Sequence, residues 1–175
     1  MKKLLVVVDM QNDFVTGVLG TPEAKDLRGK IKDYITSFEG DVVFTRDTHK
    51  ENYLDTQEGS KLPVVHCVKG TPGWEIIPEL WNLAEDRTRT RRIFDKPTFG
   101  STELAEFIRD EEYEYVEFCG VCTGICVISN EMVLKAFCPE VKIATLRNLC
   151  ACVSPVSHET AISAMQTCQI NIIEG

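Results

Sequence analysis

The sequence predicts an α/β domain built on a six-stranded parallel sheet with helices on both faces. Short runs of apolar and β-branched residues alternate with longer amphipathic stretches along the chain, and the short runs are apolar nearly throughout. Strands of that kind are buried on both faces, as in parallel sheets covered by helices. The 175 residues suffice for one sizeable core, and no internal repeat or linker interrupts them. We therefore expect a single domain over residues 1–175.

Six segments carry the strand pattern, and four carry helical spacing. The predicted strands span residues 3–9, 41–47, 89–95, 113–120, 141–146 and 170–174. The predicted helices span residues 22–38, 101–110, 123–137 and 157–167. The long segment 48–88 has no clear strand and is rich in glycine and proline. Loops of that length inside a compact domain are usually functional.

Charge and hydropathy exclude several classes of function. The net charge of -8 and a pI near 4.9 argue against nucleic-acid binding, and the basic run at 87–92 is expected to be a solvated strand edge. No apolar run approaches the roughly 18 residues that a membrane span needs. The N-terminal apolar stretch ends after five residues at Asp9, which indicates a strand rather than a signal peptide. We expect a cytoplasmic protein that contacts neither nucleic acid nor membrane.

The eight cysteines are expected to be reduced thiols rather than a disulfide framework. Most lie inside apolar runs, and a chain of this size does not need covalent staples. The CGVC and CAC pairs make a poor zinc ribbon because the second lacks the usual spacing. At least one cysteine therefore remains a candidate for chemistry.

Reactive groups follow the first four predicted strands. Asp9 and Asp47 end the first two, Lys96 follows the third, and the turn 119–126 follows the fourth. Ligands of open α/β sheets collect beyond the carboxyl ends of the strands, so these groups are expected to converge. Each alone has an ordinary interpretation, an Asp as a turn residue and a Lys as a solvated charge. Their common edge favours a site.

Within the turn, Cys126 is the best candidate nucleophile. Thr123 is a plausible helix cap, which would put Cys126 in the first helical turn, where free N–H groups favour a thiolate. Cys119 and Cys122 lack that advantage. A Cys–His hydrolase is the alternative mechanism. However, His49 and His66 are better explained as metal ligands, and His158 is expected at the surface or as a helix cap.

Three blocks of sequence, VVVDMQNDF (6–14), FDKPTFGST (94–102) and CGVCTGICV (119–127), resemble the signatures of the isochorismatase-like cysteine hydrolases, which include the nicotinamidases. The resemblance implies Asp9 as base, Lys96 as the orienting charge and Cys126 as nucleophile. It also implies an oxyanion hole made by the backbone N–H groups of Cys122 and Cys126, and a cis peptide bond between Val121 and Cys122. The implied fold is Rossmann-like with six parallel strands, and we expect a homo-oligomer. In one departure, Gly124 stands where the family usually has Asp.

The pair Asp47-x-His49, followed by Glu58 and His66, resembles the metal site of nicotinamidases. Two imidazoles and two carboxylates would suit a divalent Zn, Mn or Fe ion, with Asp55 as the alternative to Glu58. The candidate substrate-binding residues are Phe14, Trp74 and Val121.

The favoured function is therefore hydrolysis of a small-molecule amide through a thioester, with nicotinamide as the leading substrate. The alternatives are a metal-free ureide or N-carbamoyl amidase and a non-catalytic binding module. A vinyl-ether hydrolase is disfavoured because that chemistry is associated with family members that lack the cysteine.

Overall fold

A computed structural model describes all residues of the chain, 1–175. The six strands are β1 (Lys3–Val8), β2 (Asp41–Asp47), β3 (Thr90–Lys96), β4 (Tyr115–Val121), β5 (Lys142–Ala151) and β6 (Asn171–Ile173). They form one sheet in the order β3-β2-β1-β4-β5-β6, and every neighbouring pair is parallel. The predicted six-stranded parallel sheet is confirmed.

Seven α-helices connect and cover these strands. They are α1 (Asn12–Val15), α2 (Pro22–Ser37), α3 (Gln57–Lys61), α4 (Pro78–Glu85), α5 (Thr102–Asp110), α6 (Ile128–Phe137) and α7 (Pro155–Thr167). A 3₁₀ turn spans Tyr53–Asp55, and a π-helical turn over Thr123–Val127 leads into α6. The four predicted helices are present, while α1, α3, α4 and the 3₁₀ turn were not predicted. None of the helices is long and apolar enough to span a bilayer.

The side chains of β1 divide between two cores, one on each face of the sheet. Leu4, Val6 and Val8 pack in the core that α5, α6 and α7 cover. Leu5 and Val7 pack in the opposite core, beneath α2 and α4. Burying a Leu or Val side chain contributes roughly 1.5–3 kcal/mol, which explains why β1 is apolar at successive positions.

The strand order places the carboxyl end of β1 at the point where the chain reverses its direction of winding. Strand β1 lies between β2 and β4, so the connections that leave β1 and β4 run toward opposite edges of the sheet. A crevice forms at such a switch point, and ligands of open α/β sheets bind there. The ends of β1, β2, β3 and β4 border this crevice.

Candidate active site

A buried ion pair lies at the bottom of the crevice. Lys96, the last residue of β3, reaches across β2 so that its Nζ lies 2.6 Å from Oδ2 of Asp9, and neither side chain is exposed. The other carboxylate oxygen of Asp9 accepts a 2.6 Å hydrogen bond from the Thr45 hydroxyl. Asp9 has a φ of 49°, in the left-handed region that non-glycine residues rarely adopt. The backbone at the end of β1 is therefore held in an unfavourable conformation that aims this carboxylate.

Cys126 lies close enough to Asp9 and Lys96 for both groups to shift the pKa of its thiol. Burial raises the pKa of Cys126 well above its usual value, Lys96 opposes this rise, and Asp9 adds to it. Burial likewise raises the pKa of Asp9 against the opposing charge of Lys96. Cys126 is therefore a protonated thiol beside a carboxylate suited to accept its proton.

This protonation state corrects the expectation that a helix start would favour a thiolate at Cys126. The first residue of α6 is Ile128, and Cys126 lies before it, in the π-helical turn. Thr123 is not the cap that the sequence indicated, because Cys122 precedes the turn and makes no side-chain cap bond. The Thr123 hydroxyl instead lies 2.8 Å from Nδ1 of His158, which is half-buried on α7.

Asn130 holds the turn that carries Cys126 against the loop that follows Lys96. Its Nδ2 donates to the backbone oxygens of Cys126 at 2.7 Å and of Phe99 at 3.1 Å, and its Oδ1 accepts from the N–H of Ser101 at 3.0 Å. Asn130 is buried on α6 and was not among the predicted site residues. Its partners are backbone groups, so no pattern of residue types indicated the role.

Four side chains predicted to bind a metal lie together at the end of β2. One potential ligand atom from each of Asp47, His49, Glu58 and His66 lies within 4.8 Å of the other three. Nε2 of His49 lies 2.9 Å from Oδ2 of Asp47 and 3.6 Å from Oε1 of Glu58. Asp55, the alternative to Glu58, is exposed and outside the cluster.

The cluster fits a divalent ion by three observations. Ligands about 2.0–2.2 Å from an ion lie roughly 3–4 Å apart, and the distances from both imidazole Nε2 atoms to Asp47 and Glu58 span 2.9 to 3.9 Å. Oδ1 of Asp47 is buried without a hydrogen-bond partner. Nδ1 of His66 lies 2.7 Å from the backbone oxygen of Val64, so this nitrogen is the donor and Nε2 carries the lone pair toward the cluster.

Residues of the first signature block attach the long segment 48–88 to the sheet. Gln11 is fully buried, and its amide donates to the backbone oxygens of Asp47 at 2.9 Å and of Trp74 at 2.8 Å. Its Oε1 accepts from the N–H of Asp47 at 2.7 Å. Oδ2 of Asp13 accepts a 2.8 Å hydrogen bond from the N–H of Cys67, which adjoins His66. Gln11 and Asp13 thus position metal-ligand candidates from both sides, and neither was predicted.

Tyr53 supports the two imidazoles. Its ring centroid lies 4.6 Å from that of His49 and 4.9 Å from that of His66, and its hydroxyl donates to the backbone oxygen of Leu62 at 2.9 Å. The tyrosine is fully buried within the 3₁₀ turn that the sequence did not predict.

A cavity of about 210 Å³ joins the thiol to the candidate metal site. Its lining includes Cys126 and three of the four candidate metal ligands, Asp47, Glu58 and His66. Most of the remaining lining is apolar, and it includes the predicted substrate-binding residues Phe14 and Val121 and the exposed rim residues Leu62, Phe99 and Val153.

Trp74 does not line the cavity as the sequence analysis expected. Its indole N–H donates to the Thr48 hydroxyl at 2.9 Å, and the guanidinium of Arg46 lies 3.6 Å from its ring centroid. The tryptophan therefore packs the long segment against β2 and is not part of the substrate wall.

The peptide bond between Val121 and Cys122 is cis, as the resemblance implied. The N–H of Cys122 donates to no backbone carbonyl, and this residue lines the cavity together with Cys126. The proposed oxyanion hole thus includes a backbone donor that forms no backbone hydrogen bond.

Comparisons with known proteins agree with this geometry. The "Nicotinamidase/pyrazinamidase" of Mycobacterium tuberculosis is 26% identical over 98% of each chain, and the "Nicotinamidase" of Saccharomyces cerevisiae is 26% identical over 71% of this chain and 77% of its own. The pyrazinamidase of Pyrococcus horikoshii in complex with zinc superposes with a TM-score of 0.83 at 27% identity, over the full length of both chains. Residues 3–174 match the isochorismatase domain family. Because that match spans nearly the whole chain, this protein belongs to the isochorismatase family.

Proposed function

We propose that this protein is a nicotinamidase, which hydrolyses nicotinamide to nicotinate and ammonia. The observation that carries the proposal is the buried pair of Asp9 and Lys96 next to Cys126, a residue whose cavity is also lined by Asp47, Glu58 and His66, three of the four candidate metal ligands. The similarity to proteins named nicotinamidase and pyrazinamidase supports the choice of an aromatic carboxamide.

In the proposed reaction, Asp9 accepts the proton of Cys126 as the sulfur attacks the amide carbon. Lys96 stabilises the carboxylate before the transfer and the negative charge that then develops. The backbone N–H groups of Cys122 and Cys126 donate to the oxyanion of the tetrahedral intermediate. Asp9 returns its proton to the departing nitrogen, so ammonia leaves and a thioester remains. Water then attacks the thioester, which releases the acid and restores the thiol.

The cavity suits a flat aromatic ring. Phe14, Val121 and Ile125 supply apolar contacts, while the titratable lining residues other than the cysteines are the candidate metal ligands Asp47, Glu58 and His66. A divalent ion held by Asp47, His49, Glu58 and His66 would supply a Lewis-acidic centre for the pyridine nitrogen. Ring binding at that wall would leave the carboxamide directed toward Cys126.

The alternatives are less well supported. A metal-free ureide or N-carbamoyl amidase would have no use for two buried imidazoles and an unpaired Asp47 oxygen beside the cavity. A non-catalytic binding module would have no use for a buried ion pair beside a thiol, because removing two charges from water is costly.

Release of ammonia from nicotinamide, measured with and without a chelator, tests the proposal. We expect turnover that the chelator suppresses and that added Zn, Mn or Fe restores, with Cys126→Ala as the inactive control. Turnover of an N-carbamoyl compound that the chelator leaves unchanged, without turnover of nicotinamide, would transfer the assignment to the metal-free amidases.

The assembly and the location belong to the proposal as well. We propose a homo-oligomer of single-domain chains, 1–175, acting in the cytoplasm on a small-molecule substrate without nucleic-acid or membrane partners. Light scattering coupled to gel filtration measures the assembly, and a monomer at micromolar concentration would overturn that part of the proposal.

A further inference from the structure

Two cysteines that the proposed mechanism does not use through their side chains lie next to each other on the cavity wall. Val121 of β4 is paired in register with Ala151 of β5, so Cys122 and Cys152 are the next residues on neighbouring parallel segments. Neighbouring strands lie about 4.8 Å apart, which is within the Cα separation of about 4.4–6.8 Å that a disulfide requires. The two thiols are near enough to shift each other's pKa, and both residues line the cavity.

Because Gly124 has no side chain, the sulfur of Cys152 can lie close to the π-helical turn. A Cβ atom at position 124 would lie 3.5 Å from Sγ of Cys152 and 3.2 Å from Cβ of Ala161. A larger side chain, such as the Asp usual in the family, would extend into this crowded space. The departure noted at Gly124 and the presence of a thiol at Cys152 are therefore spatially linked.

The surroundings of Cys152 stabilise a thiolate. Hydrogen bonds from Cys122, from Ser157 and from the backbone N–H groups of Gly124 and Val153 outweigh the effect of burial and lower the pKa of Cys152 to about 5. The hydrogen bond to Cys152, together with burial, raises the pKa of Cys122, so this cysteine is the protonated partner. A thiolate beside a thiol is the arrangement found at oxidation-sensitive cysteines.

From the register of the two strands, the shared cavity and the position of the Cys152 sulfur beside Gly124, we propose that Cys122 and Cys152 form a reversible disulfide when the protein meets a small peroxide. The Cys152 thiolate attacks one oxygen of hydrogen peroxide, the O–O bond breaks, and hydroxide leaves. The resulting sulfenic acid is attacked by the Cys122 sulfur, which forms the S–S bond and releases the sulfenic oxygen as water. The Cys122 proton leaves with the sulfenic oxygen, and the hydroxide takes up the proton that Cys152 released to solvent when it ionised, so two thiols and one peroxide give one disulfide and two waters.

The pair borders the same cavity as the nucleophile, and Cys152 is 4% exposed against 5% for Cys126, so protonation rather than access distinguishes these cysteines toward a small oxidant. Val153, adjacent to Cys152, is 64% exposed and lines the same cavity. Burial keeps Cys126 protonated at rest, and a thiol reacts with peroxide far more slowly than a thiolate does. The pair therefore reacts before Cys126.

The effect on catalysis rests on the proposed function. Cys122 contributes its N–H to the proposed oxyanion hole and its side chain to the cavity wall, so the bond to Cys152 would shift both. We expect amidase activity to fall as the disulfide forms and to return with dithiothreitol.

Mass spectrometry of the full chain after treatment with one equivalent of hydrogen peroxide tests the proposal. We expect a peptide linked through Cys122 and Cys152, absent after dithiothreitol and absent in Cys152→Ser. The matched control is Cys168→Ser, which alters an exposed cysteine and is expected to give the wild-type linkage. Loss of activity in peroxide is expected to be at least about tenfold slower in Cys152→Ser than in wild type.

Two outcomes would overturn the inference. One is oxidation of Cys126 while Cys122 and Cys152 stay reduced, and the other is a link between Cys122 and Cys126. The linked peptide is read without any substrate, so a protein that forms it but does not hydrolyse nicotinamide would retain the redox pair and lose only the proposed function.

Discussion

The ammonium of Lys96 lies 2.6 Å from the carboxylate of Asp9, and neither side chain is exposed to solvent. Lys96→Ala is expected to lower kcat at least about 10²-fold, because a preorganised stabiliser of the developing charge is lost. Lys96→Arg should not rescue activity, since a planar guanidinium does not fit the site of a compact ammonium. Steady-state kinetics with nicotinamide measure both effects, and a near-normal kcat/KM in Lys96→Ala would remove Lys96 from the mechanism.

The stability of these variants separates the structural role of the pair from its chemistry. Removing one member of a buried ion pair typically costs about 3–5 kcal/mol, whereas replacing both members is far milder. The double variant Asp9→Asn/Lys96→Met is therefore expected to melt closer to wild type than Lys96→Ala does, while remaining inactive. Recovered activity in the double variant would contradict the proposed roles of both residues.

The two cysteines of the turn should behave differently. Cys126→Ala is expected to abolish turnover and keep the fold, because one sulfur is lost from a turn held by backbone bonds and by Asn130. Cys122→Ala should retain much of the activity, since only its N–H acts on the substrate. Ammonia release and circular dichroism on both variants test this. An active Cys126→Ala with an inactive Cys122→Ala would reverse the assignment.

Removal of one imidazole should empty the candidate metal site. Elemental analysis is expected to find about one divalent ion per chain in wild type and none in His49→Ala. A ligand present at 100 times its Kd adds about 2.7 kcal/mol of stability, so a chelator should lower the Tm of wild type and leave that of His49→Ala unchanged. The matched control Asp55→Ala alters an exposed carboxylate outside the cluster and should keep the ion. Equal metal content in wild type and His49→Ala would contradict the site.

The sequence predicted those parts of the site that depend on strand ends. In a parallel sheet the carboxyl ends of the strands share one edge, so apolar runs ending in Asp9, Asp47 and Lys96 were sufficient to bring these groups together. The predicted fifth strand stopped at residue 146, whereas β5 continues to Ala151, because the polar pair Arg147–Asn148 interrupts the apolar pattern.

The second layer of the site could not be predicted because it depends on tertiary structure. Several hydrogen bonds of Gln11 and Asn130 join them to backbone groups at least 29 residues away along the chain. The sequence does not distinguish these two amides from any other buried Gln or Asn. The neighbouring positions of Cys122 and Cys152 likewise follow from the register of β4 on β5. Helix α4, with eight residues, was too short for its periodicity to stand out in the long segment.

A buried carboxyl group on α6 should make the free energy of unfolding depend on pH between pH 4.5 and pH 8. Glu131 on α6 accepts a 2.7 Å hydrogen bond from Thr145, and burial raises its pKa from 4.5 to about 8. Between these values the folded state binds the proton that the unfolded state has released, so the free energy of unfolding falls as pH rises. The loss is expected to be on the order of a few kcal/mol, complete above pH 8.

Glu131→Gln removes this titration and should flatten the decline in stability between pH 4.5 and pH 8. The variant is compared with wild type by denaturant unfolding across this range, and Glu140→Gln provides the same change of charge on the surface. Parallel curves for wild type and Glu131→Gln would show that the buried carboxyl does not govern the pH dependence.

Asn130 is expected to be a positioning residue for Cys126. Asn130→Asp keeps the volume of the side chain but replaces the two hydrogen-bond donors by an oxygen that faces the carbonyl oxygens of Cys126 and Phe99. Each buried carbonyl left without its donor costs about 1–3 kcal/mol, and the turn relaxes away from Asp9. Because misplacement of a reacting group is felt in the chemical step, kcat should fall at least about tenfold while KM changes less. A purely structural role would lower Tm and leave kcat of the folded fraction intact, so active-site titration together with steady-state kinetics on Asn130→Asp distinguishes the two.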